Sequence, residues 1–358
     1  LLGYLKHSYQ SYLLNAPLLS KYTTACSQPT VSRFFDRIHY STNLSLKQHL
    51  QKTACRYVNK HIEDPIIDVD STKTETSGNQ EGASHIFHYN TKGYHPMVMN
   101  EYHSSLLLSA NLRAGSAYSS NGFVEELKEV LAYLKTENKT VKLRADSAFY
   151  NTKYLEFMEE KGITYYVRTK SFQKVHNLVI KQLLENLINF EDYTTHYYYG
   201  EIKYTIANSK ENRRIVYKVK AEVDKNQLSL LPKIYCVVTN DEIAKPETIM
   251  DFYEGRGNSE NFTKELKDDF DGGRVSHKEF LKNELEFLVS SLCYNLYQVF
   301  KEKILEGDDK TIRMNTFRNR YQKIAVRVVK HAKQLTLSFS SVYKRKDKFL
   351  YYLEKILI

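Results

Sequence analysis

Short apolar runs closed by polar or glycine-rich turns alternate, from about residue 65 to residue 170, with stretches of helical spacing. PIIDVDST is a β-branched run that ends in acids, and SHIFHYN, HPMVMNEY, SLLLSANLRAG, VKLRADSAF and ITYYVRT read as further strands. Between them, FVEELKEVLAYLKTE sets Phe123, Leu127, Val130, Leu131 and Leu134 on one helical face, and KYLEFMEEKG is a short helix closed by Gly162. This order predicts an α/β unit with acids at strand ends, where open α/β sheets place their sites. Before it, residues 1–63 are polar and helical, with SQPTVSRFFDR opening a helix in which Pro29 stands near the first position and Ser27 serves as cap. After it, residues 171–245 change to alternating or β-branched runs (HYYYGEIKYTIANS, RRIVYKVKAEV, KIYCVVTN), which predict an inserted, mainly β unit. ELEFLVSSLCYNLYQVFKEKI is a long helix, amphipathic to buried, that would pack across the sheet. TFRNRYQKIAVRVVKHAK reads as a basic helix and LTLSFSSVY as a strand.

The segment from Pro246 to the stop at Asp271, Gly272 and Gly273 reads as one helix with two distinct stripes. Tyr253, Arg256, Glu260 and Lys267 lie at offsets of three, seven and fourteen residues, within an arc of about 60° at roughly 100° per residue. Phe252, Phe262, Leu266 and Phe270 form an apolar stripe centred roughly 90° away. The helix therefore has a core face of its own, and the polar set is either a solvated charged face or a site that grips a phosphodiester.

Charge distribution sharpens the picture more than total composition does. The 358 residues carry a net charge of +10. Residues 1–64 hold 8 basic and 3 acidic side chains and residues 301–358 hold 15 and 6, whereas residues 246–300 hold 6 and 11. Basic ends around an acidic centre suit a protein that neutralises phosphates while keeping carboxylates for a divalent metal. No run approaches the roughly 18 to 20 apolar residues of a membrane span. Cys26, Cys55, Cys236 and Cys293 are widely spaced and form no metal-binding pattern, which suits reduced thiols in a cytosolic protein.

Three acids stand out by context: Asp70 at the end of IIDVDST, Asp146 at the end of VKLRADS, and Glu260 on the helix edge. Crowded carboxylates stay ionised together only if a cation offsets their repulsion, and hard oxygen ligands suit Mg²⁺. Each has a structural alternative. Asp68 shares a strand face with Asp70 and could be the first ligand instead; Asp146 could simply cap the turn after it; Glu260 could pair with Lys264.

The spacing of Tyr253, Arg256, Glu260 and Lys267 resembles the Y-(2)-R-(3)-E-(6)-K pattern of DDE transposases of bacterial insertion sequences. SQPTVSRF, DVDST, NQEGA, GYHPMV, NLRAGSA, RADSAFY and YEGRGNSENFTKELK resemble one subgroup of these enzymes in wording and order, and the similarity runs from about residue 27 to the C-terminus. Ala148 departs from the glycine usual after RADS. The resemblance implies an RNase H-like mixed sheet flanked by helices, with a β-rich insertion and a helical N-terminal region. On that reading residues 1–63 are a DNA-binding region, truncated because the chain starts at Leu1 without Met. Residues 64–170 and 246–300 are the two parts of the catalytic core, 171–245 the insertion and 301–358 a basic C-terminal region. It further implies that Asp70, Asp146 and Glu260 hold Mg²⁺ or Mn²⁺, two ions in all, and that Tyr253, Arg256 and Lys267 bind DNA. Water would cut the phosphodiester at an element end, and the released 3′-hydroxyl would attack target DNA. The expected partners are double-stranded element-end and target DNA and a second copy of the chain, in the bacterial cytoplasm at the nucleoid. Competing expectations are an inert DNA-binding derivative, an RNase H-like nuclease without strand transfer, and a glycosidase using a carboxylate pair with some of the 29 tyrosines; the missing tryptophans and the basic ends speak against the last.

Overall fold

A computed structural model describes residues 28–357, apart from 137–138, 171–172, 186–195, 206–210, 222, 225–226, 229–232, 325, 332–333 and 340–342. Ser27 and the rest of residues 1–27 of the leading region therefore lie outside the described residues. The chain opens with α1 (Gln28–Phe35) and α2 (Tyr40–His61). Then come β1 (Ile66–Ser71), the small strands β2 (Thr74–Glu75), β3 (Ser84–Ile86) and β4 (Thr91–Tyr94), and the longer β5 (Met97–Glu101) and β6 (Leu107–Asn111). The α/β order continues through α3 (Phe123–Tyr133), β7 (Lys142–Ala145), α4 (Thr152–Glu160), β8 (Thr164–Arg168) and α5 (Gln173–Glu185). Strands β9 (His196–Thr205), β10 (Asn212–Ala221) and β11 (Lys233–Thr239) follow.

These elements build one mixed sheet in the order β6-β5-β1-β7-β8-β11-β10-β9. β5 runs antiparallel to both β1 and β6, while β1, β7 and β8 are parallel neighbours. The stretch expected at 171–245 to be an inserted, mainly β unit opens with the helix α5 and then supplies strands that lengthen the main sheet: β11 pairs antiparallel with β8 along Val237↔Arg168. Central strands buried on both faces read as continuous apolar runs, and Ile66, Ile67 and Val69 of β1 and Leu143 and Ala145 of β7 are all buried.

Helices cover the faces because their apolar stripes need partners. Phe123, Leu127 and Val130 of α3 join the principal core with Ile67, Val69, Leu143 and Val167. The long α8 (Phe280–Ile304), expected to pack across the sheet, packs on its β5–β6 edge, and Asn295 on it holds the Leu107 backbone at both N and O, 2.8 Å each. That side chain occupies backbone groups an edge strand would otherwise present to another chain. The C-terminal expectation needs correction. Helical structure ends by Gln322, and VRVVKH forms β12 (Val326–His331) paired antiparallel with β13 (Gln334–Phe339) before α9 (Lys346–Leu357). The β-branched residues of that run favour a pleated strand over a helix.

Candidate active site

The predicted single helix at 246–271 is two: α6 (Pro246–Glu254) and α7 (Gly257–Asp269). The cause is a contact from the sheet. Arg144 Nη1 donates to the Phe252 carbonyl at 2.7 Å, the acceptor that the Arg256 N–H would use in a continuous helix, and Arg256 N turns to the Tyr253 carbonyl at 3.0 Å. Gly255 is needed at this spot, since a Cβ there would sit 2.6 Å from Arg144 Nη1. The apolar stripe divides accordingly: Phe252 packs with Tyr166, Val216 and Ile249, whereas Phe262, Leu266 and Phe270 pack with Tyr94, Phe287 and Tyr294.

Parallel pairing places the two aspartates side by side. Val69 lies opposite Ala145 across β1 and β7, so the residue that follows each, Asp70 and Asp146, leaves the same edge of the sheet. Glu260, in the first turn of α7, lines the same cleft, which has a volume of about 520 Å³ and also takes in Tyr89, Arg168, Lys264 and Lys267. All three predicted acids thus meet at one opening.

Each aspartate spends one oxygen on the protein. Asp70 Oδ1 accepts from Ser71 N at 3.0 Å and from Arg256 Nη2 at 2.9 Å. Asp146 Oδ1 accepts from Ala148 N at 2.8 Å and so does cap the short turn Ser147–Phe149, as the structural alternative required. Among the described residues Oδ2 of each has no hydrogen-bond donor, and Glu260, exposed to solvent, makes no ion pair with Lys264 or any other residue. Burial pushes the Asp70 carboxyl up to about 6; Arg256 opposes this, while Asp146 and Glu260 add to it. Burial and then the same carboxylates raise the Tyr89 phenol to about 12.

Asp68 has a different environment. It is fully buried and accepts from Arg144 Nε and Nη2 at 2.7 Å each, a bidentate pair inside the protein. The other three motif side chains are also tied to the scaffold. Tyr253 Oη donates to the Ala145 carbonyl at 3.3 Å, and Arg256 adds a 3.5 Å contact to the Val69 carbonyl. Lys267 Nζ donates to the Lys73 carbonyl at 2.6 Å and Thr72 Oγ1 at 3.3 Å, and burial, helped by Lys73, lowers its pKa. All three therefore brace the ends of the two acid-bearing strands.

Hard carboxylate oxygens directed to one opening, with an arginine already balancing Asp70, are the chemistry a divalent cation needs. Among the described residues, however, no group of three His, Cys, Asp or Glu side chains stands close enough to hold a metal as placed.

The family model for "Transposase DDE domain group 1" matches residues 3–357. The chain belongs to that family. No curated protein gives a significant match. Among solved structures, this transposase-family chain is similar to piggyBac transposase in a synaptic complex with hairpin DNA, at 10% identity and a TM-score of 0.46. That match covers 71% of this chain and 51% of the other, so the chain spans about half the length of that protein. No helix among the described residues is long and apolar enough to cross a membrane.

Sequence reasoning missed Arg144 and Arg168. Arg144 sits in the middle of VKLRADS and gave no sign that it was buried. Arg168 could have been found by treating ITYYVRT as VKLRADS was treated, since each strand delivers its next polar residue to the same edge.

Proposed function

We propose that the chain is a cut-and-paste transposase of the bacterial insertion-sequence type, acting on double-stranded DNA at element ends and at a target, with Asp70, Asp146 and Glu260 as its catalytic acids. The observation that carries this reading is the free Oδ2 atoms of Asp70 and Asp146 beside an exposed Glu260 in one cleft. These three residues would hold Mg²⁺ or Mn²⁺, two ions being the expected number. When bound, the ions supply a hydroxide at neutral pH and offset charge on the attacking and leaving oxygens. Asp68 is a poor alternative ligand because both of its oxygens are taken by Arg144.

The protein side of the chemistry is positioning. Arg256 and Tyr253 fix the tips of β1 and β7 through the Val69 and Ala145 carbonyls, which keeps Asp70 and Asp146 in register as charge develops between them. Arg256 balances Asp70, and its guanidinium would be available to a phosphate if that pair opened. Lys267 holds the loop after β1 and reaches DNA if that contact opens. Cutting two ends calls for two such sites, hence a homodimer on DNA.

The test uses purified protein, Mg²⁺ or Mn²⁺, labelled duplex from the ends of the element that encodes the chain, and a target plasmid. Joined products that vanish with Glu260→Gln support the proposal. Cleavage without joining would instead mean a nuclease, and binding with neither an inert derivative.

A further inference from the structure

Three parallel strands end together at the cleft. Val69, Ala145 and Val167 are aligned across β1, β7 and β8, and the residues that follow are Asp70, Asp146 and Arg168. Residues aligned across parallel strands lie on one face, and neighbouring strands are about 4.8 Å apart. Arg168 is therefore one strand from Asp146 and two from Asp70, and it lines the same cleft.

Its environment differs from that of every motif cation. Arg256 is held by Asp70, and Lys267 by the Lys73 carbonyl and Thr72. Arg168 is exposed, and among the described residues its side chain has no carboxylate or carbonyl partner; the Tyr235 ring lies 5.7 Å away, and the Arg168 charge also acts on the Tyr253 phenol and the Cys236 thiol. A guanidinium kept free in the cleft that the two carboxylates line, and supported by an aromatic face, has its donor fork available to something negatively charged that enters the cleft. Lys264 is the other exposed cation lining the cleft, but it is carried by α7 rather than by the sheet.

We infer that Arg168 is the residue that first grips the DNA phosphate presented to Asp70 and Asp146, before Arg256 or Lys267 is released from its internal partner. This rests on the proposed function, and it moves the initial DNA contact from the signature helix to the end of β8. The assay is fluorescence anisotropy of the labelled element-end duplex across a salt series, without divalent metal, for wild type, Arg168→Ala, Arg168→Lys and Glu260→Gln. Loss of one phosphate contact lowers the slope of log K against log salt by about one, and loss of a charge-assisted hydrogen bond raises Kd about tenfold at low salt. Arg168→Ala should show both with an unchanged melting temperature, while Arg168→Lys should keep the slope and lose part of the affinity. Wild-type slope and Kd in Arg168→Ala would overturn the inference. Cleavage by Glu260→Gln in the Mg²⁺-containing joining assay described above would instead overturn the catalytic assignment, so the two failures are told apart.

Discussion

Two Asp–Arg pairs stand two residues apart on the same strand and do opposite things. Asp68 and Arg144 form a bidentate pair sealed inside the protein, with Arg144 also stacked against the rings of Tyr102 and Phe252. Asp70 and Arg256 meet through one nitrogen and one oxygen at the rim of an open cleft, where neighbouring carboxylates work against the Asp70 charge. The first pair uses every contact it can make to tie β1, β7 and the α6–α7 break together. The second leaves an oxygen free. Burial disfavours both charges, but Asp68 is held through both oxygens by Arg144 while Asp70 keeps one oxygen free at the edge, and the bidentate pair one step inward holds the strand.

The largest test of this contrast is Asp68→Asn. Breaking a buried pair by removing one partner typically costs about 3 to 5 kcal/mol, so chemical denaturation should show a loss of that order. Asp70→Asn should leave stability near wild type or above it, because the charge removed is one that burial and its neighbours disfavour. Equal losses from the two substitutions would erase the distinction. Next in size is Gly255→Ala, which would push against Arg144 and through it against Asp68; overpacking of this kind costs roughly 1 to 3 kcal/mol. A thermal melt that is unchanged in this variant would mean that Arg144 is not the fixed cause of the helix break.

How much of this could be read from the sequence depends on the range of the contact involved. Strand runs such as IIDVDS and VKLRA and the start of α6 at Pro246 follow from local pattern, whereas the meeting of Asp70, Asp146 and Glu260 is allowed by the α/β order and implied only by the family resemblance. The break at Gly255 does not, although Gly255 and Gly257 flank it, since its cause is an arginine 108 residues before the Phe252 carbonyl it bonds. For the same reason the helix-edge arithmetic grouped Arg256 and Lys267 correctly with Glu260 but could not reveal their partners, Asp70 and the Lys73 carbonyl. At the C-terminus, the abundance of basic residues in VRVVKHAK outweighed its β-branched pattern, and a strand was read as helix.

The smallest expected effect is a pH response away from the cleft, at the C-terminal end of the fold. Asp309 is buried and bonded to Lys348 at 2.6 Å, Arg320 at 2.8 Å and the phenols of Tyr321 and Tyr352. Burial alone would raise its pKa, but hydrogen bonds from Lys348, Tyr321 and Arg320 prevail and hold it at about 2. Because the folded pKa lies below the ordinary 3.8, this group stabilises the fold above about pH 4 and loses that contribution as pH falls toward 2, in all roughly 1 to 2 kcal/mol. Denaturation midpoints of wild type and Asp309→Asn should therefore converge as the solution is acidified from pH 5. A constant gap would mean that the Asp309 charge does not anchor α9.

The proposed cation site comprises Asp70, Asp146 and Glu260 acting together. Calorimetric titration of the intact chain with Mn²⁺ at pH 7.5 tests this without any DNA. Binding to wild type that is abolished or sharply weakened in Asp70→Asn, Asp146→Asn and Glu260→Gln alike is the predicted result. Mn²⁺ binding that survives all three substitutions would contradict it.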